Sequence, residues 1–274
     1  KNDIEALVRL AIKEDIGSGD VTSEAIFTND DFVRGVIRSK GEGVFCGAEV
    51  ARIVYEIIDP RVSTTQMVGD GEKIKNKDTV MTVEGPTIGV LSGERIVLNF
   101  IQRMTAIATR TARVVSMLNG TNIKLLDTRK TLPGFRKLDK YAVKTGGGVN
   151  HRMGLYDMVM IKDNHIRAAG SITRAVQVIR ERYGTRYTVE VETESLEDVA
   201  EAVASAADII MLDNMDTDTM IAAIKLIGRK TRIEVSGTVT EERMKGIIGL
   251  EVDFISMGSL THSVQAFDLS MDFD

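Results

Sequence analysis

The sequence predicts an α/β protein. A smaller N-terminal α+β unit precedes about six β/α repeats, arranged as an incomplete barrel or an open doubly wound sheet, with the barrel favoured. From residue 121 onward, short apolar runs alternate with amphipathic stretches six times. Those runs lack the polar–apolar alternation of half-exposed strands, as expected of parallel strands covered on both faces. The later repeats are only about 20 to 25 residues long, which suits barrel units.

In chain order, residues 3–13 place Ile4, Leu7, Val8 and Leu10 or Ala11 at helical spacing. EDIGSGDVTSEAIF turns at Gly17 and Gly19. FVRGVIRSK and GVFCG read as strands, AEVARIVYEIID as a helix ended by Pro60, and VSTTQMV and VMTVEGPTIGVL as strands about the turn GDGEKI. A long helix follows, with Ser92 as N-cap and Gly120 as terminator. Its apolar face runs through Ile96, Phe100, Met104, Ile107, Thr111 and Val115, and it is expected to join two domains. KLLD, MVMIK, TVEVE, DIIML, RIEVS and DFISM are the six later strands. The expected division is an N-terminal domain over 1–106 and a barrel over 107–265, with 266–274 returning to pack on the first domain.

Composition narrows the function. The 274 residues are 43% hydrophobic and 27% charged, ordinary for a soluble enzyme. A formal net charge of -5 argues against general nucleic-acid binding. The lack of Trp and the 5% aromatic content argue against base-stacking platforms. No run approaches the roughly 18 apolar residues of a membrane span. The opening KNDIEALVRLAIKEDIG is charged and amphipathic, unlike a signal peptide. Cys46 is alone, so it forms no internal disulfide and reads as a small buried filler. A reducing, cytoplasmic setting fits these features. Neither a dinucleotide fingerprint nor a P-loop is present.

One stretch inverts the charge of the chain. Between Asp127 and His165 lie Arg129, Lys130, Arg136, Lys137, Lys140, Lys144, Arg152 and Lys162, against Asp127, Asp139, Asp157 and Asp163. Two of the three histidines, His151 and His165, fall there as well. Such a local excess of cations points to an anion pocket. Active sites of barrels sit at the C-terminal ends of the strands. Those ends carry Asp127–Lys130, Lys162–His165, Glu190 and Glu192, Asp213-Asn214, Ser236-Gly237, and Met257–Ser259. Arg129, Lys130, Arg152 and Lys162 are the cations placed to grip carboxylate or phosphate. Arg136, Lys137 and Lys140 read as solvated helix or loop charges. Glu192 and Asp213 suit a magnesium ion or ribose hydroxyls. Glu190 shares a strand face with Glu192, so one of the two is open to an internal arginine partner. Ser236-Gly237 and Gly258-Ser259 precede helices, where backbone N–H groups bind phosphate. Gly146, Gly147 and Gly148 read as a helix stop.

The run DTRKTLPGFRKLDKYAVKTGGGVNHRMGLYDMVMIKDNHI closely resembles the signature of the quinolinate phosphoribosyltransferase family, the decarboxylating nicotinate-nucleotide pyrophosphorylases. EDIGSGDVTS, GERIVLNFIQRMTAIAT, VEVET, IMLDNM, EVSG and ISMGSLTHS extend the resemblance over nearly the whole chain. It implies a small open-faced β-sandwich domain beside an incomplete α/β barrel. It also implies a pentosyltransferase of NAD biosynthesis, using magnesium to convert quinolinate and phosphoribosyl pyrophosphate to nicotinate mononucleotide, pyrophosphate and carbon dioxide. The family's quinolinate pocket maps onto Thr128, Arg129, Lys130, His151, Arg152 and Lys162, with Arg95 contributed by the partner of a homodimer. Glu192 and Asp213 match the acids for ribose and metal; with Lys130 and Lys162 they form the expected catalytic set. Ser236, Gly237, Gly258 and His262 match the loops around the ribose phosphate. Thr238 departs from a second glycine often found after Ser-Gly. Rival readings are a related transferase acting on nicotinate, a molybdenum-associated paralogue, and a non-catalytic phosphate-binding barrel. A dicarboxylate needs more cations than nicotinate does, and a pure anion sensor gains nothing from Glu192 and Asp213.

Overall fold

The computed structural model describes residues 2–273; Lys1 and Asp274, at the ends of the expected domains, lie outside the described residues. The elements in chain order are α1 (Asn2–Asp15), α2 (Val21–Ile26), β1 (Phe32–Ser39), β2 (Gly43–Val44), α3 (Ala48–Ile58), β3 (Ser63–Gln66), β4 (Lys73–Ile74), β5 (Thr79–Pro86) and α4 (Thr87–Met117). Next come β6 (Lys124–Leu126), α5 (Arg136–Thr145), β7 (Val159–Ile161), α6 (Asp163–Ala169), α7 (Ile172–Tyr183), β8 (Val189–Thr193) and α8 (Leu196–Ala204). The chain ends with β9 (Ile209–Asp213), α9 (Thr217–Ile227), β10 (Arg232–Ser236), α10 (Glu241–Ile247), β11 (Phe254–Ser256), α11 (Ser259–His262) and β12 (Leu269–Phe273). They form two compact units. One comprises Lys1–Arg113, Thr131–Gly147 and Leu260–Asp274; the other comprises Val114–Lys130 and Gly148–Ser259.

The first unit carries an antiparallel sheet in the order β12-β1-β5-β3 and a small pair, β2-β4. Strand β12 lies antiparallel to β1, from Gly35 opposite Phe273 to Ser39 opposite Leu269. Val36, Ile37, Val80, Met81 and Val83 of the sheet are buried, as are Ile53, Val54 and Tyr55 of α3. Asp20 caps α2 by accepting from Thr22 N and Ser23 N.

Helix α4 starts at Thr87, directly after Pro86 and five residues before the expected cap at Ser92. The Ser92 hydroxyl instead donates to Asp20 Oδ2 at 3.1 Å. The stretch VMTVEGPTIGVL, expected to be a strand throughout, therefore divides at Pro86. Two helical glycines had obscured this. A Cβ on Gly93 would lie 2.5 Å from the Tyr55 ring, and one on Gly89 would lie 3.1 Å from Asp59 Cβ. Close packing against α3 explains glycine at these positions, despite its cost of about 1 kcal/mol in a helix.

Helix α5 belongs with the first unit, although it falls inside the span expected to be barrel. A buried ion pair ties it to α4. Both Asp139 oxygens accept from Arg103, each at 2.8 Å, and Arg103 Nη2 also donates to Thr261 O at 2.9 Å. A Cβ on Gly146 would come within 2.4 Å of Ala108 O, so this glycine serves close approach as well as the helix stop. Lys140, expected among the solvated charges, is only 1% exposed. Arg136 and Lys137 do hold local roles: Arg136 Nε donates to Thr131 Oγ1 at 3.2 Å, and Lys137 pairs with Asp3.

The second unit is built on six parallel strands in the order β6-β11-β10-β9-β8-β7. A doubly wound sheet reverses its order in the middle. Here neighbours follow the chain without reversal, and the first strand closes onto the last. Only β6 and β7 remain unpaired with each other, so the barrel is incomplete. Val189, Val191, Ile210, Leu212, Ile233 and Val235 are buried on one face. Between them Glu190, Met211 and Glu234 turn inward, following the two-residue period of strands. Among the described residues no helix is long and apolar enough to cross a membrane.

Candidate active site

The C-terminal strand ends of the second unit surround a cavity of about 540 Å³. Thr128, Arg129, Lys130, His151, Arg152, Lys162, Glu192, Asp213, Ser236 and Gly237, all expected at the site, line it. Gly258, in the turn before α11, lies outside this lining. Arg95, exposed on α4, and His262, exposed on α11 with Nδ1 2.7 Å from Ser263 Oγ, belong to the first unit. His165 is not in the lining either; its Nδ1 accepts from Lys162 N at 3.0 Å and closes the first turn of α6.

The cations stand close to one another. Arg152 donates to Met158 O at 3.2 Å, which fixes its guanidinium across the chain turn. Burial, and then the neighbouring Arg129, both work against its charge. An arginine keeps its proton regardless, so the cost is repulsion that a bound anion relieves. In the same cavity Lys162 Nζ is hydrogen-bonded to Glu192 Oε2. Burial, and then Glu192, hold Asp213 above the ordinary carboxylate range, while Asn214 Nδ2 donates to Asp213 Oδ2 at 3.0 Å. Glu192, Glu194 and Asp213 offer carboxylate oxygens within 4.8 Å of one another. This all-oxygen set fits a hard divalent cation such as magnesium.

The loop after β10 is shaped by close approach. A Cβ on Gly237 would lie 2.3 Å from Asn214 Oδ1, and the residue has φ 86°. Only glycine is comfortable there. Thr238 follows at φ 45°, in the left-handed region that a β-branched side chain disfavours. Arg243 of α10 pins the arrangement by donating to Met215 O at 2.7 Å and to Gly237 O.

Beneath the cations lies a cluster that sequence reasoning did not assemble. His151 Nε2 is 3.1 Å from Glu190 Oε2 and 3.5 Å from Glu234 Oε2, and both glutamates are fully buried. Glu190 thus meets a histidine, and Glu192 a lysine; neither takes the arginine allowed for above. Asp127 anchors the same segment by accepting from His151 N at 2.8 Å and Asn150 Nδ2 at 2.7 Å. Burial disfavours a charge on His151, but hydrogen bonds to Glu190 and then Glu234 outweigh it and push the ring up to about 9. A contrary contact opposes that proton: Arg152 N donates to His151 Nδ1 at 2.7 Å. A second ring proton would break this bond, which the adjoining backbone fixes. Burial also holds Glu190 above the ordinary carboxylate range, so a carboxyl can carry the proton instead. The ring is therefore read as neutral, with its hydrogen on Nε2.

Glu234, Met160, Met211 and Ser256 complete the lining without having been expected there, together with Asn214 and Thr238 of the strand-end loops. A signal for Glu234 was present: an acid in the middle of the apolar run RIEVS, where a buried parallel strand should have none.

Two family models match the chain, the quinolinate phosphoribosyl transferase N-terminal domain over residues 20–105 and its C-terminal domain over residues 107–272. A probable nicotinate-nucleotide pyrophosphorylase [carboxylating] of Bacillus subtilis is 45% identical over 94% of this chain and 89% of that protein. A chloroplastic nicotinate-nucleotide pyrophosphorylase [carboxylating] of Arabidopsis thaliana is 42% identical over 99% of this chain and 83% of its own. The crystal structure of NadC from Streptococcus pyogenes superposes with a TM-score of 0.94 at 39% identity, covering 98% of this chain and 95% of that one. The chain belongs to the quinolinate phosphoribosyltransferase family.

Proposed function

We propose that this protein transfers phosphoribosyl from phosphoribosyl pyrophosphate to quinolinate with decarboxylation, giving nicotinate mononucleotide, pyrophosphate and carbon dioxide for NAD biosynthesis. The observation that carries the reading is the crowding of Arg129 and Arg152, with Lys130 and Lys162, in one cavity that also holds Glu192 and Asp213. Arginine forks match carboxylates in a bidentate fashion, so two of them suit a pyridine bearing two carboxylates. Ser236 and Gly237 suit the ribose phosphate, and Glu192 and Asp213 suit ribose hydroxyls. The pyridine nitrogen attacks ribose C1 as the bond to pyrophosphate breaks. The ring, now positively charged, accepts the electron pair released when the adjacent carboxylate leaves as carbon dioxide, and a proton replaces it. The side chains orient reactants and offset charge; none need act as a nucleophile.

Glu192 and Asp213, with Glu194 beside them, would hold magnesium, which would screen the pyrophosphate. Arg95, exposed on α4, is read as the cation lent across a homodimer, as the family resemblance implies. The lone cysteine, without an internal disulfide partner, supports a reducing, cytoplasmic setting. Incubation with magnesium, phosphoribosyl pyrophosphate and quinolinate should yield nicotinate mononucleotide, and nicotinate should not replace quinolinate. Product from nicotinate but not from quinolinate overturns this reading in favour of the related transferase.

A further inference from the structure

Two fully buried glutamates that make no ion pair with a lysine or arginine among the described residues are unusual, because burying an unpaired charge costs roughly several kcal/mol per ion. Glu190 comes from β8 and Glu234 from β10, alternate strands of the barrel whose inward side chains meet in one layer. Among the described residues none of their four oxygens meets full hydrogen-bond geometry, and their close basic neighbour is His151 Nε2, at 3.1 Å from Glu190 and 3.5 Å from Glu234. The imidazole is held at its other nitrogen as well, since Nδ1 accepts the Arg152 N–H. The two ring nitrogens thus face protein groups, Nε2 the acids and Nδ1 the backbone of the arginine that lines the cavity.

We propose that Glu190 and Glu234 are positioning residues for the reaction, fixing the His151 ring from the floor of the barrel and, through its Nδ1, the backbone that presents Arg152 to the substrate. The function of His151 is then orientation. A metal ion at the same three groups is disfavoured by the same geometry, since a nitrogen carrying hydrogen has no lone pair for a ligand bond.

This inference rests on the proposed reaction only for its kinetic arm. Glu190→Gln and Glu234→Gln keep the side-chain shape and remove the carboxylate. Each should raise KM for quinolinate by about tenfold or more, the loss of one well-placed contact. KM for phosphoribosyl pyrophosphate should stay within about twofold, since the ribose and phosphate groups contact other residues. Unchanged KM for quinolinate in folded variants, or an equal rise for both substrates, overturns the proposal. The second arm needs no activity and no variant. Nitrogen-15 NMR of the histidine rings in the full-length wild-type protein near neutral pH should show His151 with hydrogen on Nε2 and a bare Nδ1. A bare Nε2, or hydrogen on both nitrogens, contradicts the proposed wiring whatever the substrate proves to be.

Discussion

Two buried acidic sites in this protein are treated in opposite ways. Asp139, in the first unit, is fully buried and receives a complete counter-ion, two parallel hydrogen bonds from Arg103. Glu190 and Glu234, in the second unit, are equally buried and share one imidazole. The first arrangement satisfies a charge and locks α5 in place. The second leaves acids under-partnered beneath a cluster of cations, as stability alone would not favour. A local rule broken without local compensation is a mark of function.

The largest expected effect removes the counter-ion that Asp139 has. Arg103→Met should cost about 3–5 kcal/mol of stability, because it strands a buried carboxylate. Chemical denaturation measures it. A loss near zero would mean Asp139 tolerates burial as well as the floor acids do, and the contrast would fail. Next come the cations above the floor. Lys130→Ala or Arg152→Ala should lower turnover by about 10²–10³-fold with the fold intact, as removal of one preorganised charge does elsewhere. Near-normal kcat/KM in either variant would remove it from the site. Thr238→Gly relieves a left-handed threonine and should add about 1 kcal/mol of stability, less the entropy that glycine costs. A destabilised variant would show that the Thr238 side chain makes a compensating contact.

The smallest effect concerns Cys46. Burial is the main cause that raises its thiol well above the usual range, and Asp70 adds to it. The reactive thiolate is therefore scarce at mildly alkaline pH and becomes available only as pH rises toward the folded value. Alkylation near pH 8 should proceed only when the protein unfolds, which mass spectrometry can follow. Rapid modification of the native protein would place the thiol at the surface.

Much of this architecture is legible in the chain. Unbroken apolar runs such as DIIML and RIEVS mark the parallel strands, and the polar residues that end them mark the cavity. Less legible is anything set by distant packing. The true start of α4 is hidden by Gly89 and Gly93, whose presence makes sense only beside Tyr55 and Asp59. Helix α5 looks like an ordinary barrel helix until the Arg103–Asp139 pair, 36 positions apart, assigns it to the first unit. Lys140 reads as a surface charge because its helix carries several others. The floor cluster joins His151, Glu190 and Glu234 across long stretches of chain, and no spacing announces it. Glu234 betrays itself only as an acid where an apolar residue belongs.

The chemistry itself can be followed by one label. Quinolinate carrying labelled carbon in the carboxylate next to the ring nitrogen should release labelled carbon dioxide with this protein and magnesium. Release should require phosphoribosyl pyrophosphate and match nicotinate mononucleotide mole for mole, and Arg152→Ala should suppress it. No release with both substrates present, or release that does not depend on phosphoribosyl pyrophosphate, would contradict the assignment of this cavity to a decarboxylating phosphoribosyl transfer.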